Sequence, residues 1–185
     1  MLQLSSCQAK KSETPAESTQ SQAAESQIES ETPSESESDP EEAMYAALAQ
    51  LTKEDGTGEI SLDMTVAEII EVLDRHGIEY GDYSLDGEGS AGYITVRKNI
   101  YHTFHYYKYG SFAVQQSYKG LRVGDSRDKV YELYGEPTKS GYVSVMAKNK
   151  DEYYQRTADD QYSSPINFIV YSVNNTVTDI VIEIC

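Results

Sequence analysis

The chain has 185 residues, 31 acids against 15 Lys and Arg, and a formal net charge of −16. So acidic a chain is short of the cations that neutralise phosphates, which disfavours nucleic acid as a partner and direct adsorption to anionic lipid. Its length predicts one domain or two small ones, and it holds no apolar run of the roughly 18 residues needed to span a bilayer as a helix.

In chain order, the first feature is Leu4-Ser5-Ser6-Cys7, followed over residues 8–38 by a stretch dominated by Ser and Glu. Residues 8–42 hold ten acids and two lysines, so −8 of the −16 lies there and the other −8 in residues 43–185. Pro15 and Pro33 interrupt the stretch and Ile28 is its one large aliphatic residue. Such a segment buries too little apolar surface to offset its ordering entropy, and it is predicted to be a disordered spacer.

Asp39-Pro40-Glu41-Glu42 has the form of a helix start, with Asp at the N-cap, Pro at the first position and acids in the first turn. Met44, Ala47, Leu48 and Leu51 then fall on one stripe, and Gly56 and Gly58 end the element. A second helix is predicted from Thr65, with Glu68 completing a capping box, a stripe of Val66, Ile69, Ile70 and Leu73, and Gly77 as its close. After a glycine- and acid-rich loop over 81–92, β-patterned runs are expected at 93–97, 101–108 and 111–118, with Tyr109-Gly110 as the turn between the last two. Ser126 then caps a short helix carrying Val130, Leu133 and Tyr134, which Gly135 and Pro137 stop. Strands are expected at 142–147, 152–157, 166–173 and 176–184, with Asn174-Asn175 turning the last pair.

Several constellations are weak. Residues 53–64 echo a calcium-binding loop, but Lys53 and Met64 stand where the acidic end ligands belong. Asp82, Asp86 and Glu88 read as a solvated acidic loop, not a cation site. His102 and His105 point to opposite faces of a strand, which disfavours a metal pair. No nucleophile elbow is present, and with only Cys7 and Cys185 there is no disulfide framework and no Cys-based metal site. No cofactor and no metal are therefore expected. The 16 Tyr and absent Trp stand out. Tyr93, Tyr101, Tyr106, Tyr107, Tyr109 and Tyr118 crowd one β region together with His102 and His105, and form the candidate binding surface.

Two resemblances emerge from these residues. The Leu4–Cys7 box before a solvated tether resembles a bacterial lipoprotein, which implies acylation of Cys7 and an extracytoplasmic, membrane-anchored domain. A signal peptide needs about 7–15 apolar residues before its cleavage site, so this reading expects residues upstream of Met1. Gly120-Leu121-Arg122-Val123-Gly124-Asp125-Ser126, then Val130 and Tyr134-Gly135-Glu136-Pro137, resembles a line found in SmpA/BamE-like outer-membrane lipoproteins, in the repeats of β-lactamase inhibitor protein and in Gram-positive lipoproteins. Residues 62–65, 69 and 73 match 123–126, 130 and 134 at a fixed offset, as a duplicated unit would.

The expected fold is α+β, with two tandem helix-plus-antiparallel-sheet units of the β-lactamase-inhibitor-protein kind. The expected organisation is a truncated signal and lipobox (1–7), a tether (8–38), a helix and connection (39–60), repeat one (61–118) and repeat two (119–185). The resemblance implies a non-catalytic module that binds an envelope or extracellular protein. The competing expectation is a carbohydrate-binding protein or hydrolase that stacks Tyr on sugar and uses a carboxylate pair.

Overall fold

The computed structural model describes residues 39–87, 91–104, 109–155 and 165–184. They form an α+β fold of three α-helices and one eight-stranded antiparallel sheet. The helices are α1 (Pro40–Thr52), α2 (Val66–Arg75) and α3 (Arg127–Tyr134). The strands are β1 (Tyr83–Ser84), β2 (Ala91–Val96), β3 (Asn99–Phe104), β4 (Tyr109–Val114), β5 (Lys139–Val143), β6 (Lys148–Gln155), β7 (Ile166–Val173) and β8 (Thr176–Ile184). Their order is β1-β2-β3-β4-β8-β7-β6-β5. Each half is thus a meander, one preceded by α2 and the other by α3, and the last strands of the two meanders pair at the centre.

The caps follow the sequence. The Asp39 carboxylate accepts the Glu41 N–H at 2.9 Å, and Pro40 opens α1. Thr65 and Glu68 make a reciprocal capping box on α2, and Asp86 Oδ1 takes the Val66 N–H at 3.1 Å. That contact gives the acidic loop a structural role, because it satisfies a donor that a helix start leaves open. Ser126 caps α3, and Gly135 ends it at φ 75°. Asn174 and Asn175 both take positive φ, the backbone that a two-residue hairpin of this twist requires.

Strand register sorts the side chains. Ile94, Tyr101, Phe112, Ile182, Phe168 and Tyr153 form one continuous row across six strands. All six are buried, and they share a core with Tyr45, Leu48 and Leu51 of α1, Val66, Ile69, Val72 and Leu73 of α2, and Val130 of α3. The three helices therefore cover the same face of the sheet.

Several sequence expectations need correction. Ala47 is exposed, and Tyr45 and Ala49 take the core positions of α1 instead. Ile70 is only half-buried, while Val72 is buried, so the apolar stripe of α2 is rotated slightly from the predicted one. Tyr109-Gly110 is not a turn: both residues lie in β4, and Tyr109 pairs with Phe104. Gly110 is glycine because a Cβ there would stand 2.7 Å from the Phe112 ring and 2.9 Å from the His102 carbonyl oxygen. The turn between β2 and β3 falls at Arg97-Lys98, with Arg97 at φ 55°. The run predicted at 142–147 divides into the end of β5 and a 3₁₀ turn, Ser144–Met146, and β6 begins at Lys148.

Candidate functional site

The face without helices carries the opposite row. Tyr93, His102, Ser111, Glu183, Asn167 and Tyr154 are successive cross-strand partners from β2 to β6. At about 4.8 Å between strands the row spans roughly 24 Å. Strand alternation produces it directly: residues next to the core row point the other way.

In the first half of the sheet this face is aromatic and uncharged. The Tyr93 and His102 rings lie 6.3 Å apart. Phe104 and Tyr109 stack at 4.9 Å. Ile100 adds an apolar side chain, and Tyr93 and Ile100 are each 37% exposed. Of the residues expected to form the binding surface, the structure brings together Tyr93, His102 and Tyr109. Tyr101 belongs to the other face. It is fully buried, and its hydroxyl meets Thr52 Oγ1 and the Asn99 amide at 3.3 Å each. Burial raises its pKa, against the opposing effect of those two hydrogen bonds, so it is a core phenol and not a contact residue. Tyr118 lies beyond β4, exposed, with the Lys53 ammonium 5.1 Å above its ring. His105, Tyr106, Tyr107 and Cys7 lie outside the described residues.

In the second half the same face is polar and ion-paired. Glu152 is 7% exposed. It accepts from the Tyr154 hydroxyl at 3.0 Å and the Asn167 amide at 3.2 Å, and pairs with Lys150 at 3.0 Å. Burial opposes its charge, but the bonds from Lys150, Tyr154 and Asn167 outweigh that penalty and hold its carboxyl below the ordinary range. Lys150 is correspondingly raised, the Glu152 contact overcoming its own burial. Asn167 Oδ1 is buried and meets no donor among the described residues.

On the helix side, Asp151 is fully buried and takes both 2.7 Å bonds of the Arg127 fork, plus the Ser140 hydroxyl at 2.7 Å. Its carboxyl is also held low, because Arg127 and Ser140 outweigh the cost of burial. Hydrolysis by a carboxylate pair needs one carboxyl kept protonated near neutrality. Asp151 and Glu152 are both pushed toward the charged form, which suits structural anchors.

The sequence alone missed Phe104, Ile100, Tyr154, Asn167 and Glu183 as members of this face. For Phe104 the signal was present in its parity with His102. For the residues of β6, β7 and β8, nothing local reveals which strands lie beside β4. Comparison with family models, curated proteins and solved structures gives no match for the chain.

Proposed function

We propose that the chain is a lipid-anchored, extracytoplasmic module that binds a protein partner through the helix-free face of its sheet and carries out no chemistry itself. The observation behind this reading is the row from Tyr93 to Tyr154. It combines exposed aromatic side chains in one half with the exposed Tyr154 in the other, backed by the buried Glu152 and Asn167, on a face that none of the three described helices covers. Exposed aromatic anchors beside ordered polar groups are what contact surfaces offer a partner. The anchor rests on the lipobox and tether of the sequence. The mirrored strand order, with a helix before each meander, supports the tandem-unit reading and the resemblance to β-lactamase inhibitor protein and SmpA/BamE-like lipoproteins.

A photocrosslinking amino acid placed at Tyr93 or Tyr154, in cells, tests the surface. Specific protein adducts are expected from both positions and not from Glu71, which is exposed on α2. Adducts from Glu71 alone would overturn the assignment. Adducts to glycan in place of protein would favour the sugar-binding alternative. The anchor has a separate test, labelling with a clickable fatty acid when the chain is expressed behind a lipoprotein export signal. Label is expected on the natural chain and none after Cys7→Ser.

A further inference from the structure

The hairpin at the β5 edge carries an apolar tip that the helix-free face does not use. Tyr142 is 64% exposed, Val145 92% and Met146 44%, all within five consecutive residues. The tip has a defined shape: Ala147 takes φ 51°, and its N–H closes the 3₁₀ turn on the Ser144 carbonyl at 3.2 Å. Exposed apolar side chains scattered singly need no explanation, but three at one ordered tip do.

Charge around the tip differs from that of the chain. Residues 137–150 contain three lysines and no acid. The acids just behind them are matched, Asp151 by Arg127, Glu152 by Lys150 and Lys139, and Asp179 by Lys148 at 2.5 Å. Charge elsewhere on the molecule is screened beyond about 8–10 Å at physiological salt. The tip can therefore approach a negative surface that the chain as a whole would avoid.

We propose that this tip enters the interfacial layer of a lipid bilayer, with Val145 and Met146 at the acyl boundary and Tyr142 at headgroup level. Aliphatic side chains with a Tyr beside them are a combination that layer accepts. Three side chains present on the order of 300 Å², well short of the ~800 Å² per partner of a stable protein interface, whereas a bilayer needs no pocket of matched shape. The inference rests on the membrane-tether reading, because a tethered domain meets its membrane at high effective concentration and a small contact then suffices.

The test uses the full chain with Cys7→Ser, Cys185→Ser and Ser144→Cys, the new thiol carrying an environment-sensitive fluorophore. An N-terminal hexahistidine segment holds it, in place of the natural anchor, on vesicles of phosphatidylcholine containing a minority of phosphatidylglycerol and of nickel-chelating lipid, so that the effective concentration of a tethered domain is kept. The expected result is a blue-shifted emission that saturates with lipid. Adding Val145→Asp and Met146→Asp should weaken partitioning about tenfold or more, since both side chains lose their burial. The same fluorophore on Glu71→Cys should stay unshifted. No shift at Ser144, an equal shift at Glu71, or a shift indifferent to the two Asp substitutions would overturn the proposal. Because Cys7 is replaced, the outcome does not depend on lipidation. A chain that takes fatty acid while its hairpin stays silent defeats this inference alone, and a responsive hairpin on a chain that takes no fatty acid defeats the anchor alone.

Discussion

Asp151 has no exposed surface, so its charge survives only because Arg127 grips both oxygens and Ser140 adds a third bond. Removing one member of such a pair strands the other. Asp151→Ala should cost about 2–4 kcal/mol by urea denaturation, even though the side chain is small. The pH dependence has a definite sign. The folded pKa lies below the ordinary 3.8, so the native state holds the proton less tightly than the unfolded one. The contribution is complete above about pH 4 and fades as pH falls through the depressed folded value. The natural chain should therefore lose stability in acid more steeply than Asp151→Asn does, and equal slopes in the two would defeat this account. A second buried carboxylate, Glu54, is held by the Tyr134 hydroxyl at 2.6 Å and the Tyr118 N–H at 2.9 Å. Burial, followed by the Glu54 charge, pushes Tyr134 far above its usual pKa, so it remains a hydrogen donor at all working pH values.

At the scale of elements, each helix is amphipathic in sequence but too short to be stable alone, and depends on the sheet for its stability. Ile69 of α2 is fully buried, while its neighbour Ile70 is only partly covered. Ile69→Ala should destabilise the domain by about 2–4 kcal/mol through lost burial and a residual cavity, and Ile70→Ala by less than half of that. The reverse ranking in thermal or urea melts would place the stripe wrongly. Gly110→Ala belongs at the same scale. Its Cβ would press on the Phe112 ring, the His102 carbonyl and the Leu62 carbonyl, two of them backbone atoms that cannot turn aside. A loss of about 1–3 kcal/mol is expected, from overpacking and not from any turn propensity. A neutral substitution would show that β4 and the Leu62 segment are less closely apposed.

For the domain as a whole, the two meanders are not independent. β4 pairs with β8 in the middle of one sheet. One core cluster runs from Tyr45 to Ile182, and Glu54 before the first meander bonds Tyr134 before the second. Residues 39–185 should therefore unfold in a single transition, with circular dichroism and Tyr fluorescence coinciding. Two separated transitions would mean that the halves are self-sufficient and that the central pairing adds little. Charge changes within residues 8–38 should leave the midpoint unchanged.

Local information was enough for whatever local physics governs. Helix caps at Asp39, Thr65 and Ser126, the stop at Gly135 and the Asn174-Asn175 turn were legible because each depends on a few adjacent residues. So was the alternation that separates Tyr101 from His102. Which of the two faces the helices would cover was not legible, because period-2 patterning marks two faces without naming the buried one. Tyr101 was consequently placed among contact residues although it is core. The rotation of α2 that exchanges Ile70 for Val72, and the close approach that requires Gly110, depend on neighbours distant in the chain. The row from Tyr93 to Tyr154 joins residues as distant in the chain as Tyr93 and Glu183 through the β4–β8 pairing. Strand order is settled by which packing buries the most apolar surface at once, a property of the folded whole that no window of sequence carries.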